Sequence, residues 1–164
     1  YADNVHRHGT PAMPKKYFAA LLQVFGPDCE VLTVTSAEGR PLSSVLSFYF
    51  RDEVLPYYAG DDEAARELAG NDFKYWELMR RATARGIKVF DYGRSKQGTG
   101  SYAFKKNWGF EATPLHYEYC LYKRDAIPQN NPSNAKYKLL IEAWRRMPIS
   151  LANWLGPFIV RNLA

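Results

Sequence analysis

The 164-residue chain carries 22 Lys and Arg against 17 Asp and Glu, a net charge of +5, with 46% hydrophobic and 24% charged residues. That balance excludes a disordered or collagen-like chain, and a domain of this length buries about two-thirds of its unfolded surface. Two cysteines, Cys29 and Cys120, exclude a disulfide scaffold and form no CxxC pair for zinc, and no apolar run reaches the ~18 residues of a membrane span.

A reducing, cytoplasmic location is therefore expected. The charge is unevenly placed. Up to Leu121, fifteen cations balance fifteen acids; beyond it, Lys123, Arg124, Lys136, Lys138, Arg145, Arg146 and Arg161 face only Asp125 and Glu142. A general nucleic-acid coat would put a basic stripe on the body too, so none is expected. The chain opens without an initiator Met or a signal-peptide pattern and reads as cut from a longer one.

In chain order, Tyr17, Phe18, Leu21, Leu22 and Phe25 recur at helical spacing and predict a helix over 16–25, stopped by Gly26-Pro27. Three strand-like runs follow, at 29–35, 42–50 and 54–59, joined by turns at 37–39 and 51–53, which predicts an antiparallel meander. Residues 60–70 read as a polar loop or short helix. Asn71 or Asp72 can cap the next helix, whose apolar stripe would be Phe73, Trp76, Met79 and Ala82, with Gly86 just past its end. Residues 87–92 read as a short, central strand. A glycine loop (93–100), a short helix (101–107) and an alternating strand (115–122) come next. A linker over 125–134 leads to an appendix, 135–164, with helices at 135–147 and 150–162, the second expected to break at Gly156-Pro157. The fold class is α/β (α+β): a mixed, mostly antiparallel sheet with helices on both faces, over 1–124, plus that appendix.

Chemistry concentrates at 89–111. A strand ending in Asp91 opens into a loop with Gly93, Gly98 and Gly100, flanked by Arg94, Lys96, Lys105 and Lys106. Free amides near a helix start plus cations suit an anionic group, which Arg94, Ser95, Lys96, Gly98, Thr99, Gly100 and Tyr102 could bind. A plain surface loop is the alternative. Asp91 is a candidate base for an incoming amine, or equally a carboxylate that fixes the loop through backbone N–H groups. Tyr57, Tyr58 and Tyr49 could orient a substrate or simply pack on the sheet. His6 and His8 have no partner cluster, so no metal site is expected; His116 reads as structural.

The element order resembles the GNAT acyltransferase fold. The stretches 90–95 and 98–110, with Asn71-Asp72-Phe73-Lys74-Tyr75-Trp76-Glu77 before them and Asn153-Trp154-Leu155-Gly156-Pro157 after, resemble FemAB-type peptidyltransferases. Within that group they are most similar to the type associated with exosortase (PEP-CTERM) and exopolysaccharide systems. The resemblance implies a tandem of GNAT-like domains, this chain being the second and its partner a preceding one. It implies amide formation on a cell-envelope or exopolysaccharide-linked amine, with aminoacyl-tRNA as donor. It also implies that Phe104 and Lys105 lie at the reacting carbonyl, Lys105 stabilising the oxyanion. Acyl-CoA-binding relatives follow their central strand with a Q/R-x-x-G-x-G/A loop; here Gly60-Asp61-Asp62-Glu63 stands there, and its acids would repel a pyrophosphate. No cofactor is expected to be required, while acyl-CoA stays open as a donor. A CoA-dependent N-acetyltransferase and a non-catalytic binding module of an envelope-polymer assembly system are the alternatives.

In the appendix, Tyr137, Leu140, Ile141 and Trp144 form an apolar stripe beside Lys136, Lys138, Arg145 and Arg146, continued by Leu151, Trp154, Leu155, Phe158 and Ile159. This segment either packs on the body or a preceding domain, or lies on the inner face of an anionic membrane.

Overall fold

The three runs of β-formers pair as the meander their turns require, and a computed structural model describes them within residues 1–122, 125–127 and 135–161, leaving out the side chains of 135–137. The elements are α1 (Ala2–Arg7), α2 (Lys15–Phe25), β1 (Cys29–Thr35), β2 (Pro41–Phe50), β3 (Glu53–Asp61), α3 (Glu63–Glu67), α4 (Gly70–Ala84), β4 (Val89–Phe90), α5 (Gly100–Asn107), α6 (Ala135–Arg146) and α7 (Ile149–Val160). Among the described residues the sheet has the order β1-β2-β3-β4, antiparallel except for the parallel β3–β4 pair. A parallel pair needs a crossover, and α4 supplies it.

Alternation along β2 sorts the two faces. Val45 packs with Leu32 and with Leu78 of α4, so Ser43, Val45, Ser47 and Tyr49 face that helix. Phe48 meets Phe25 of α2 at 5.1 Å between ring centroids, so Leu42, Leu46 and Phe48 face the other side, toward α1 and α2. Helices therefore cover both faces.

Helix α4 differs from its expected orientation. Its buried residues are Gly70, Lys74, Leu78 and Ala82, spaced i, i+4, i+8, i+12, while Phe73 and Trp76 are half exposed. The rotation has a cause in the sheet. The Lys74 side chain, 0% exposed, donates from Nζ to Asp61 Oδ1 at 2.7 Å, and Asp61 Oδ1 also accepts from Ser43 Oγ. The helix begins after Ala69, in the left-handed region, and neither Asn71 nor Asp72 caps it. At its far end, Ile87 N–H donates to Ala82 O and Gly86 N–H to Thr83 O, the paired bonds of a Schellman stop.

The strand expected at 87–92 holds only Val89–Phe90 and lies at the sheet edge rather than at its centre. The strand expected at 115–122 does not form: Leu115, Tyr117, Tyr119 and Leu121 alternate but are exposed, because two residues of β4 offer no ladder long enough to pair with. The break predicted at Gly156-Pro157 is also absent. Ala152 and Gly156 form the buried seam of α7, which continues through Pro157, and a Cβ on Gly156 would come within 3.1 Å of Ala12 O, so the helix backbone lies close against Ala12. Beside it, Trp144 of α6 is buried next to His6 of α1, and Arg145 Nη2 donates to His8 O at 3.4 Å. The appendix thus packs on α1 and the residues after it; the linker lies mostly outside the described residues.

Lys74 sets the first prediction. Asp61→Asn leaves a buried ammonium without its counter-charge and is expected to cost about 3–5 kcal/mol in urea unfolding. Lys74→Met combined with Asp61→Asn is expected to recover most of that loss. Burial also lowers the Lys74 pKa from the usual 10.5. Between the lowered value and 10.5 the unfolded chain binds more protons, so stability rises with pH there, and Lys74→Met should remove that slope. A cost below about 1 kcal/mol for Asp61→Asn would show that Asp61 does not compensate the buried charge.

Candidate active site

A single residue ends the β3–β4 ladder. The amides of Val89 and Asp91 donate to the carbonyls of Asp52 and Val54, at 3.0 Å each. Parallel pairing alternates, so the next rung needs the N–H of residue 56 to donate to the Asp91 carbonyl. Residue 56 is proline and has no N–H. Directly after it, Leu46 opposes Tyr58 and Ser47 opposes Pro56, so Tyr57 is an extra residue in β3, a β-bulge. The bulge brings two consecutive tyrosines to the α2 side, their rings 4.8 Å apart, and Tyr57 reaches Phe48 at 5.9 Å. From Pro56 onward β3 and the chain after β4 part, and the glycine loop runs beside the opening: a Cβ on Gly93 would touch Leu55 at 3.8 Å.

The loop is fixed at both ends. Asp91 Oδ1 accepts the Gly93 N–H at 2.8 Å, with Gly93 at φ +66, a conformation that favours glycine. Thr99 caps α5, its Oγ1 accepting from Tyr102 N–H at 3.4 Å and donating to Lys96 O at 2.7 Å. Tyr92 is buried and clamps the loop root: its ring stacks on Phe110 at 4.7 Å and meets Tyr75 at 4.8 Å and Phe104 at 6.2 Å. Phe104 therefore belongs to the aromatic cluster that seats α5.

Lys105, next on that helix, donates from Nζ to Gly93 O at 2.9 Å and Arg94 O at 3.3 Å, 5.5 Å from the centroid of the Tyr92 ring. Partial burial lowers its pKa, opposed by the Asp91 charge. Two of its three donors are engaged among the described residues. Arg94 Nη1 makes a long contact, 3.5 Å, with Tyr117 Oη, and the hydroxyls of Tyr117 and Tyr57 raise the guanidinium pKa. Ser95 Oγ and Tyr92 Oη are buried without a hydrogen-bond partner among the described residues.

The structure thus groups Asp91, Arg94 and Lys105 at the root of the 93–100 loop, where the β3–β4 ladder ends, with Tyr57 near enough to act on the Arg94 charge. Lys96, Gly98 and Gly100 are exposed on that loop, with Tyr102 half-buried behind them. Tyr58 goes elsewhere: its hydroxyl bonds Tyr17 Oη at 3.0 Å, its ring meets Tyr1 and Phe18, and burial with that bond raises its pKa. Sequence reasoning missed Tyr117, which only the absence of the 115–122 strand makes available to Arg94. It also missed Pro56, although a proline inside a run of β-formers signals an open edge.

The acidic end of β3 is spoken for internally. Asp61 holds Lys74 and Ser43. Asp62 caps α3 through Ala64 N–H at 3.3 Å and pairs with Arg40 at 2.5 Å, which holds its carboxyl below the usual range. Tyr1, Arg7, Ser43, Ser44, Asp61 and Asp62 line a cavity of about 280 Å³ there. Among the described residues no group of three His, Cys, Asp or Glu side chains could hold a metal.

The model of the acetyltransferase (GNAT) domain family matches residues 2–106, well over half of the chain. A structure from Pyrococcus furiosus, provisionally named an acetyl transferase, superposes with a TM-score of 0.53 at 17% identity, covering 65% of this chain and 74% of that one. A mutant of protein BH1408 from Bacillus halodurans gives 0.51 at 14% identity, over 65% and 73%. No curated protein matches. The family model spans well over half of the chain, and the chain belongs to the GNAT acetyltransferase domain family.

Proposed function

We propose that this GNAT domain is of the FemAB-like type and forms an amide on a cell-envelope or exopolysaccharide-linked amine, together with a preceding GNAT-like domain. The carrying observation is the Lys105 ammonium, held at the root of the glycine loop by the carbonyls of Gly93 and Arg94. In the step, the amine nitrogen attacks the donor's acyl carbon. The new C–N bond forms as the donor's ester or thioester bond breaks, and the amine proton passes to a base while the leaving group is protonated. Charge builds on the carbonyl oxygen in between, and an aimed ammonium stabilises it. Arg94 and the 93–100 backbone hold an anionic part of donor or acceptor.

The family description and the Pyrococcus neighbour favour a second reading, CoA-dependent N-acetyl transfer. Against it stands the turn after β3. Its helix start is already filled by Asp62 and its local cation Arg40 is already paired, so a pyrophosphate would meet carboxylates instead of free amides. An aminoacyl-tRNA donor avoids that requirement.

Lys105→Met in the full protein is expected to lower amide formation, read by mass spectrometry, by about 10²–10³-fold. A melting curve guards against loop collapse, and unchanged turnover in a folded variant would remove Lys105 from the chemistry. Asp91→Asn keeps an oxygen for the Gly93 N–H, so it should stay within about threefold of wild type, whereas a loss near 100-fold would make Asp91 the base. Calorimetric titration with acetyl-CoA is expected to give no heat at micromolar concentrations; micromolar binding would favour the second reading.

A further inference from the structure

Helix α7 is inverted relative to an ordinary surface helix. Its buried seam is small, Ala152 and Gly156, while Leu151 and Trp154 are exposed. Leu151, Trp154 and Phe158 are 42%, 65% and 54% exposed. They stand at i, i+3 and i+7, which places them on one stripe, and Arg161, also exposed, follows at i+10 on the same stripe. Trp154 and Phe158 meet edge to face at 6.1 Å, so the stripe has an aromatic centre. On α6, Leu139 and Leu140 are exposed as well.

The neighbouring charge has one sign. Across 135–161 the chain carries Lys136, Lys138, Arg145, Arg146 and Arg161 against Glu142 alone, and none of Lys138, Arg145, Arg146 or Arg161 forms an ion pair among the described residues. An anionic bilayer is apolar within and negatively charged at its surface, so it would bury the apolar stripe and answer this charge. We infer that α7 forms a peripheral docking surface for an anionic lipid bilayer, the exposed Leu151 and Trp154 entering the headgroup boundary and Arg161 meeting lipid phosphate. No helix among the described residues is long and apolar enough to cross a membrane, so the surface lies on the bilayer rather than through it. The inference is independent of the acyl-transfer reading, because no residue of the parted-strand opening takes part.

Co-sedimentation of the 164-residue chain with phosphatidylglycerol-containing vesicles and with pure phosphatidylcholine vesicles tests it. Binding to the anionic vesicles is expected, with at least tenfold weaker binding to the neutral ones and weakening in high salt. Trp154→Glu and Leu151→Glu should each weaken binding tenfold or more with an unchanged melting curve, and Arg161→Ala about fivefold. Brominated lipid should quench tryptophan emission in the wild type and lose most of that effect in Trp154→Phe. No binding to either vesicle, or binding unaffected by Trp154→Glu, overturns the proposal. So does a dimer in sedimentation velocity that Trp154→Glu dissociates, which would assign the stripe to a second copy.

Discussion

The missing N–H of Pro56 decides the shape of everything around the opening. A continuous β3–β4 ladder would close the sheet edge and carry the chain after Phe90 straight along β3. Without that donor the ladder stops at Asp91, and the bulge at Tyr57 turns β3 away at the next residue. The freed chain must then satisfy its own backbone. Asp91 takes the Gly93 amide, and Lys105 takes the carbonyls of Gly93 and Arg94. The ammonium thus stands at the opening for a structural reason before any chemical one. The bonds that replace a lost rung are the bonds that aim it.

A second constraint anchors the opposite end of β3. Burying Lys74 is unfavourable in itself, and only the Asp61 carboxylate and the small Ser43 and Ser47 side chains of β2 make room and compensation for it. That pairing turns α4 so that Lys74 and Leu78 face the sheet and Trp76 does not. It also ties the acidic turn to the core. Asp61 and Asp62 are partners of Lys74, Ser43, Arg40 and the α3 amides, so the acids after β3 are framework.

How far the sequence foretold this follows from which interactions are local. The meander was legible because alternation and tight turns act within a few residues, and β1 and β2 run within a residue of their expected bounds. The α4 face was not, because a lysine reads as solvated until its partner thirteen residues away is known to lie beneath it. The 115–122 alternation is real, but a strand needs a neighbour, and the neighbour was shortened by a proline more than thirty residues upstream of it. Within the candidate site, the glycine loop, Arg94 and Lys105 were legible by composition. Tyr117 was not, since its position depends on a strand failing to form. Tyr58 looked equivalent to Tyr57; the bulge puts both on the α2 side, and the hydrogen bond to Tyr17 is what separates them.

The body's neutrality conceals a pattern that the pairs reveal. Glu77 holds Arg80 and Arg81, which keep its carboxyl down at about 2; Glu30 holds Arg85, Asp52 approaches Lys88, Asp62 holds Arg40 and Asp61 holds Lys74. No ion pair among the described residues includes Arg94, Lys96, Lys105 or Lys106. Paired charges cancel beyond a few ångströms, whereas unanswered ones act out to about a Debye length, ~8–10 Å at physiological salt. Around the 93–100 loop these four cations outnumber the Asp91 carboxylate, although the body's sum is zero. An anionic group approaching the opening meets their potential before it makes any contact, which favours encounter there over the acid-rich end of β3. On the acyl-transfer proposal, the position of unanswered charge, rather than its total, is what draws an anionic group to this end of the sheet.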